Sequence, residues 1–139
     1  MKARVKWIEG MAFMAEADSG HAIVLDGAPD IGGRNLGPRP MEMVLMGAGG
    51  CTSIDVVMIL QKSRQDVTDC QVELTAERAN DHPKVFTKIH FHFIVTGRNL
   101  KPETVARAIN LSAEKYCSAT IILAKTAEVT HDFEIVEIQ

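Results

Sequence analysis

The sequence predicts an α+β fold with a single domain over residues 1–139. Short alternating segments fill the first part of the chain, one long apolar helix follows, and a long hairpin then precedes further helices and a last strand. Because the strands occur in runs and do not alternate one for one with helices, this order favours an α+β architecture over a repeated βαβ unit. No internal repeat, low-complexity segment or linker divides the chain.

The first segments are typical of an antiparallel meander. Residues 4–8, 11–15 and 21–25 alternate or carry β-forming side chains, and turns that contain glycine separate them. Residues 26–39 follow with four glycines and two prolines, too many for a regular element. We expect a loop there that leads into a helix.

A long helix is predicted to begin at Pro40 and to end near residues 61–64. Proline suits the first helical position, and apolar residues then recur at helical spacing on nearly all sides. The length and composition are also those of a membrane span, but the segment contains Glu42, Asp55 and a cluster of glycines. We therefore interpret it as a buried helix of a soluble protein.

The second half of the chain predicts a hairpin, two helices and a last strand. Residues 67–80 and 85–95 alternate on either side of a turn that contains a proline. A second helix is expected to end near Tyr116, and a short apolar segment follows it. Residues 129–138 alternate as the last strand.

The composition excludes several classes of function. The net charge is −3 and the isoelectric point is about 5.9, so the protein has no basic surface for nucleic acid. Residues 1–9 carry a charge at nearly every second position and lack the apolar core of a signal peptide. We expect a cytoplasmic protein that binds neither nucleic acid nor a membrane. Small domains often cover apolar surface with a second copy, so a homo-oligomer is also expected.

Three cysteines are present, and in a reducing cytosol their chemistry is expected to be reactive or transient. Cys51 follows a run with three glycines among residues 47–50. Each glycine costs a helix roughly 1 kcal/mol relative to alanine, so close approach of a partner helix or a substrate to the Cys51 sulfur is the favoured explanation. The alternative is a small buried side chain at a tight helix crossing.

Cys117 lies where the second helix ends and another segment begins. A thiol at a helix N-terminus has its thiolate stabilised by the helix dipole, which would make Cys117 reactive. The alternative role is core filling, because an apolar segment follows at once. Cys70 shares a strand face with Val72 and Leu74, and we interpret it as structural.

Two histidines, His90 and His92, share one face of their strand, and a His-x-His pair on a strand can bind zinc. No further ligand motif completes a zinc site, so exposed or cross-strand histidines are favoured. A Cys-His hydrolase would need an imidazole beside the Cys51 sulfur. All five histidines are remote from Cys51 in sequence, so only folding could assemble such a site.

Residues 40–51 read Pro-Met-Glu-Met-Val-Leu-Met-Gly-Ala-Gly-Gly-Cys. This segment resembles the Pro-x-Glu helix start, small-residue run and cysteine of the OsmC/Ohr family. Cys117, between Tyr116 and Ser118, matches the position of the second cysteine of that family. The resemblance extends over nearly the whole chain, and residues 3–7 and 40–43 resemble in particular the YhfA-like branch.

By this resemblance the fold would be an OsmC-like intertwined homodimer, with antiparallel sheets wrapped around two long central helices and active sites at the subunit interface. The first cysteine of the family attacks the O–O bond of an organic hydroperoxide, a role that maps to Cys51. Its sulfenic acid would form a disulfide with Cys117, which a dithiol reductant, a lipoylated group in the best-studied branch, would reduce. The resemblance implies no metal, flavin or other cofactor.

The family also uses a glutamate and an arginine to hold the thiolate and position the substrate. Glu42 is our choice for the glutamate, although in the Ohr branch it directly follows the proline and here Met41 intervenes. Nine residues at about 100° each put Glu42 and Cys51 on opposite sides of a continuous helix, so contact needs a kink, an irregular first turn or the other subunit. The alternative role of Glu42 is to oppose the helix dipole. Arg39 is our choice for the arginine, and its guanidinium is expected to pair with Glu42.

Together these features predict a thiol peroxidase for alkyl or fatty-acid hydroperoxides, whose organic tail binds apolar helix surfaces. Two alternatives stay open. One is a non-catalytic module of the same fold that binds a small hydrophobic or thiol-containing ligand. The other is a Cys-dependent hydrolase, in which Cys117 would be dispensable.

Overall fold

The structure, a computed structural model, describes residues 1–139, which form two compact units of residues 1–46 and 47–139. The elements in chain order are β1 (Ala3–Glu9), β2 (Ala12–Ala17), β3 (Ala22–Leu25), a short 3-10 turn (Pro29–Ile31), α1 (Pro40–Lys62), β4 (Asp66–Arg78), β5 (Phe86–Arg98), α2 (Pro102–Leu111), a π-helical turn (Ser112–Tyr116), α3 (Ser118–Leu123) and β6 (Glu128–Glu137). This order of strands and helices confirms the predicted α+β fold.

The N-terminal unit, residues 1–46, contains the three-stranded antiparallel sheet β1-β2-β3, which confirms the predicted meander. The loop after β3 is organised by Asp26, which is buried. Its carboxylate accepts hydrogen bonds from the backbone N–H groups of Gly27, Arg34 and Leu36 at 2.8, 3.1 and 3.1 Å. These bonds, that from Leu36 foremost, hold the pKa of Asp26 below its usual value.

The C-terminal unit, residues 47–139, contains a second sheet in the order β4-β5-β6. β4 and β5 are antiparallel and form the predicted hairpin. β6, however, runs parallel to β5, with Lys88 opposite Glu128 and Gly97 opposite Glu137, so the expectation of purely antiparallel sheets is wrong for this pair. The reason is the connection, because α2 and α3 carry the chain from the end of β5 back to the end at which β5 began.

The core of the C-terminal unit lies on one face of β5, where Phe91, Phe93 and Val95 are buried. α1 approaches this sheet closely at Gly49, where an added Cβ would lie 2.9 Å from Cδ1 of Leu74. Close packing against β4 therefore explains this glycine, whereas the sequence favours a partner helix or a substrate as the neighbour. The other two glycines of the run, Gly47 and Gly50, would meet no heavy atom within 4 Å.

α1 is less buried within one chain than the sequence predicts. Only 28% of its most apolar 18-residue window is buried, and the exposed large side chains are Val44, Met46, Ile54 and Met58. By length and composition alone α1 could cross a membrane, a property that core helices of soluble proteins share. The expectation of a buried helix is thus not met by a single copy, because one chain covers one face of a helix that is apolar on nearly all sides.

Candidate active site

The structure brings Cys51 and Cys117 together within the C-terminal unit. Cys51 lies on α1 and is half-buried, whereas Cys117 follows the π-helical turn and is fully buried. Both thiols are free. The Cys51 thiol lies close enough to that of Cys117 to affect its ionisation. The two cysteines singled out from the sequence are therefore neighbours in space.

The backbone that carries Cys117 is irregular, since the second helix does not continue as an α-helix to Tyr116. Ser112–Tyr116 is a π-helical turn, and the N–H of Cys117 donates to the Ser112 carbonyl at 2.8 Å. Cys117 then precedes α3 in an extended conformation. Turns of this kind widen a helix locally and occur frequently at functional sites.

The sulfur of Cys117 accepts two hydrogen bonds from Thr120, one from the hydroxyl at 3.0 Å and one from the backbone N–H at 3.4 Å. Burial raises the pKa of the Cys117 thiol above its usual value, and the two bonds from Thr120 act against this effect. The adjacent Cys51 thiol raises the pKa of Cys117 further. The net direction is upward, so Cys117 is a protonated thiol at neutral pH.

A chain of hydroxyl groups links the two segments that carry the cysteines. Ser112 Oγ donates to Asp55 Oδ2 at 2.9 Å, and Thr52 Oγ1 lies 2.8 Å from Ser112 Oγ. Because the one hydroxyl proton of Ser112 goes to Asp55, Thr52 donates to Ser112. Thr52 and Ser112 are both buried. This chain holds the turn of α1 that contains Cys51 against the π-helical turn that leads to Cys117.

Glu42 and Arg39 meet at the start of α1, within the N-terminal unit. The backbone N–H of Arg39 donates to Glu42 Oε1 at 2.8 Å. The Arg39 guanidinium instead donates to Asn35 Oδ1 at 2.9 Å and to the Gly37 carbonyl at 3.0 Å. The expected ion pair between guanidinium and carboxylate is therefore wrong. Glu42 satisfies a backbone N–H that has no helical partner, as in a capping box. The catalytic roles of both residues stay predictions.

The remaining cysteine and histidines lie on the second sheet. Cys70 on β4 is half-buried, and burial, followed by the nearby Asp69 carboxylate, raises the pKa of its thiol. His90 and His92 place ring nitrogens 2.9 and 2.7 Å from Asp132 Oδ1 on β6, which confirms the cross-strand interpretation. Within residues 47–139 no imidazole is hydrogen-bonded to Cys51 or Cys117, so the hydrolase alternative lacks its base there.

A cavity of about 350 Å³ lies along α1 beyond the cysteine pair. Its lining contains neither cysteine, but it includes Asp55, four residues after Cys51, and Tyr116, which precedes Cys117. One face of α1, together with α2 and the π-helical turn, forms its walls. Met58, Ile59 and Leu111 supply apolar surface, and the charged residues of its lining are Asp55, Lys62 and Arg107. A cavity of this size accepts a small organic molecule.

Residues 32–132 of the chain match the family model of the OsmC-like proteins. The chain belongs to the OsmC family. Among curated relatives, this OsmC-family protein is 57% identical to Protein YhfA of Escherichia coli strain K12 over 136 residues, which cover 98% of each chain. Both matches confirm the resemblance that the motifs around Cys51 and Cys117 predict.

Solved structures confirm the OsmC/Ohr fold. An OsmC-like protein from Mycoplasma pneumoniae has a TM-score of 0.83 at 15% identity, covering 97% of this chain and 96% of its own. The organic hydroperoxide resistance protein OhrB of Bacillus subtilis has a TM-score of 0.65 at 18% identity, covering 96% and 98%. At these identities the structural likeness shows a shared fold only.

Three residues of this OsmC-family site, namely Thr52, Ser112 and Thr120, are not among those that the sequence predicts. Thr52 and Thr120 have a partial signal, because each lies within one helical turn of a candidate cysteine. Ser112 has none, since its role depends on the π-helical turn that brings it against α1.

Proposed function

We propose that this OsmC-family protein is a thiol peroxidase that reduces organic hydroperoxides. The observation that carries the proposal is the pair of free, neighbouring thiols of Cys51 and Cys117. Family membership supports it, as does the likeness in fold to a protein named for organic hydroperoxide resistance. The difference in burial supports the roles proposed for the two cysteines, because the half-buried Cys51 is accessible to a substrate and the fully buried Cys117 is not.

In the first step the Cys51 thiolate attacks the O–O bond of the hydroperoxide. A sulfur–oxygen bond forms, the O–O bond breaks, and the alkoxide takes up a proton and leaves as an alcohol. The peroxide is reduced by two electrons and the Cys51 sulfur is oxidised to a sulfenic acid. The apolar walls next to the pair, which include Met58 and Leu111, bind the organic part of the substrate.

In the second step the Cys117 sulfur attacks the Cys51 sulfenic acid. A sulfur–sulfur bond forms, the sulfur–oxygen bond breaks, and water leaves. The raised pKa of Cys117 keeps it protonated until this step, and the hydrogen bonds from Thr120 stabilise the thiolate as it forms. A dithiol, such as a lipoylated protein, then reduces the disulfide by two thiol–disulfide exchanges and is itself oxidised. The cycle uses no metal or flavin.

The proposal includes a cytoplasmic homodimer. Val44, Met46, Ile54 and Met58 are large apolar side chains exposed on α1, and a second copy would cover such surface. In that assembly Glu42 and Arg39 are proposed to tune Cys51 and orient the peroxide. The bond from the Arg39 N–H to Glu42 and the bond from the Arg39 guanidinium to the Gly37 carbonyl would then hold them in place for the active site of a subunit.

The second candidate is a binding protein without catalysis. It is favoured by the contacts of Glu42 and Arg39, because Glu42 Oε1 accepts from the start of α1 and the Arg39 guanidinium donates to the preceding loop, and neither bonds to a cysteine. Such a protein would hold a small hydrophobic or thiol-containing ligand in the cavity between α1 and α2.

A mass measurement under non-reducing conditions tests the proposal. The reduced protein is treated with one equivalent of cumene hydroperoxide and digested. The peroxidase should lose two hydrogens, mapped to a peptide pair that links Cys51 and Cys117. An unchanged mass would refute the peroxidase and favour the binding protein.

A further inference from the structure

Two cations without partners line the cavity that begins at Asp55, one helical turn after Cys51, and they carry an inference that rests on the proposed function. Lys62 lies in the last turn of α1, and Arg107 lies on α2. Neither belongs to any of the ion pairs in the structure. Glu103, one helical turn before Arg107, does not pair with it. Two unpaired cations in one cavity favour an anionic ligand.

The rest of the cavity is mostly apolar. Met58 and Ile59 of α1 and Leu111 of α2 lie between the charged residues. The combination of apolar walls with a few polar groups is typical of sites that bind amphipathic small molecules. The ligand that fits is therefore an apolar chain with one anionic group.

The position of the cations relative to the thiols determines which end of a bound ligand lies near Cys51. Asp55 and Lys62 follow Cys51 by four and eleven residues, so the three side chains share one stripe of α1. Cys51 and Lys62 are separated by a rise of roughly 16 Å along the helix. A ligand bound at Lys62 thus needs an extended chain to reach the Cys51 sulfur.

Asp55 favours the orientation in which the anionic group lies at Lys62 and Arg107 and the chain extends toward Cys51. Its carboxylate lines the same cavity, on the side of the cysteines, where Ser112 holds it by a hydrogen bond of 2.9 Å. An anionic group is repelled from that side and attracted by Lys62 and Arg107 on the other. A neutral hydroperoxide group meets no such repulsion near Cys51.

We propose that Arg107 and Lys62 bind the carboxylate of an apolar, carboxylate-bearing hydroperoxide and that the chain directs its hydroperoxide group to Cys51. The planar guanidinium of Arg107 matches a carboxylate with two parallel hydrogen bonds, and Lys62 adds a point charge. Both are specificity-determining residues that do not contact the reacting atoms.

Binding is tested first, without chemistry, by titrating the reduced protein with octanoate and, as the neutral match, octanol in a calorimeter. The protein should bind octanoate more tightly, and Arg107→Gln and Lys62→Gln should each weaken octanoate binding by about tenfold while octanol binding is unchanged. Lys125→Gln, which removes an exposed cation outside the cavity, is the matched control. Equal losses for octanoate and octanol would overturn the inference.

Turnover is tested second, with linoleic acid hydroperoxide and its methyl ester, which differ in the charge alone. Arg107→Gln should raise KM for the acid about tenfold, leaving kcat and both constants for the ester unchanged. If the wild-type protein reduces acid and ester equally well, the proposed function holds and this inference fails. If it reduces neither, yet octanoate binding depends on Arg107, the carboxylate site holds, whereas the proposed function and the delivery of a hydroperoxide to Cys51 both fail. If Arg107→Gln or Lys62→Gln acts only by changing the subunit state of the protein, the inference is overturned.

Discussion

The hydroxyl of Thr120 donates a 3.0 Å hydrogen bond to the sulfur of Cys117, and the backbone N–H of Thr120 adds a second at 3.4 Å. Both bonds strengthen when the sulfur is negatively charged. They therefore oppose the effect of burial, which raises the pKa of the Cys117 thiol. A buried thiol held in this way stays protonated at rest and still forms a thiolate when a disulfide is made.

Replacing Thr120 by valine removes the hydroxyl donor and keeps the shape of the side chain. We expect the pKa of Cys117 to rise further and disulfide formation to slow by about ten- to a hundredfold, because a hydrogen bond to a charged group contributes about 1.5–3 kcal/mol. Rapid-mixing experiments with one equivalent of hydroperoxide measure this rate. Thr120→Ser keeps the donor and should restore most of it. An unchanged rate in Thr120→Val would exclude a role for the hydroxyl.

The three cysteines should respond differently to substitution by serine. Cys51→Ser should abolish reduction of cumene hydroperoxide in the presence of a dithiol, because it removes the attacking sulfur. Cys117→Ser should leave a Cys51 sulfenic acid that a dimedone label detects by mass. Cys70→Ser is the control and should retain activity. Full activity of Cys51→Ser would show that the assignment of the attacking thiol is wrong.

Ser112 stabilises the junction between α1 and the π-helical turn. Ser112→Ala leaves the buried Thr52 hydroxyl and the Asp55 carboxylate without this partner, and we expect it to lower the free energy of unfolding by about 1–3 kcal/mol. Adding Thr52→Val should recover part of that loss, since a missing pair is less costly than one unpaired buried group. Urea unfolding of both single variants and the double variant gives the coupling. Strictly additive losses would contradict the hydrogen bond.

Two glycines of α1 should differ in their response to alanine. Gly47→Ala meets no heavy atom within 4 Å and should stabilise the protein by about 1 kcal/mol through helix propensity. Gly49→Ala places a Cβ 2.9 Å from Leu74 Cδ1, so a displacement of Leu74 should cancel this gain or reverse it. Urea unfolding at one protein concentration compares them. Equal stabilisation by both substitutions would show that Gly49 is not required for packing.

The pair of His92 and Asp132 predicts a pH-dependent contribution to stability. The hydrogen bond to Asp132 raises the pKa of His92, and the bonds from His92 and then His90 lower the pKa of Asp132. The stabilisation linked to the raised pKa of His92 is fully present below about pH 6.5 and is lost as pH rises through that raised pKa. The stabilisation linked to the lowered pKa of Asp132 is fully present above about pH 3.9 and is lost as pH falls through that lowered pKa. The stabilisation is therefore greatest between these values.

Asp132→Asn tests this pH dependence. The decrease in the urea midpoint relative to the wild-type protein should be largest at pH 5.5 and smaller at pH 8.5 and at pH 3. The decrease should be modest, because the pair is largely exposed. A decrease that is constant over this range would contradict the linkage.

Much of the secondary structure is predictable because its signals are local. Pro40 begins α1 in the structure, as its preference for the first helical turn predicts. The alternation in β4 and β5 predicts their pairing, which a short turn makes antiparallel. The direction of β6 is not predictable in this way, since it depends on where α2 and α3 return the chain.

The candidate site is likewise predictable from the sequence only in part. Glycines before Cys51 and the end of a helix before Cys117 mark both thiols as reactive candidates, and the resemblance to the OsmC family pairs them. The choice of Arg39 and Glu42 as an ion pair is wrong, because the N–H groups of a helix start are strong local competitors for a carboxylate.

The sequence by itself determined the strands and helices, the two candidate thiols and the family, since periodicity, turn chemistry and motifs are properties of short segments. The tertiary structure alone decided that Thr120 serves the Cys117 sulfur, that Ser112 joins Thr52 to Asp55, and that Lys62 and Arg107 share a cavity. The contacts of Ser112 and the shared cavity join residues on different helical segments. The contact of Thr120 depends on the extended conformation of Cys117, which lies between two helical segments. These relationships follow from how the helices pack, which no local pattern specifies.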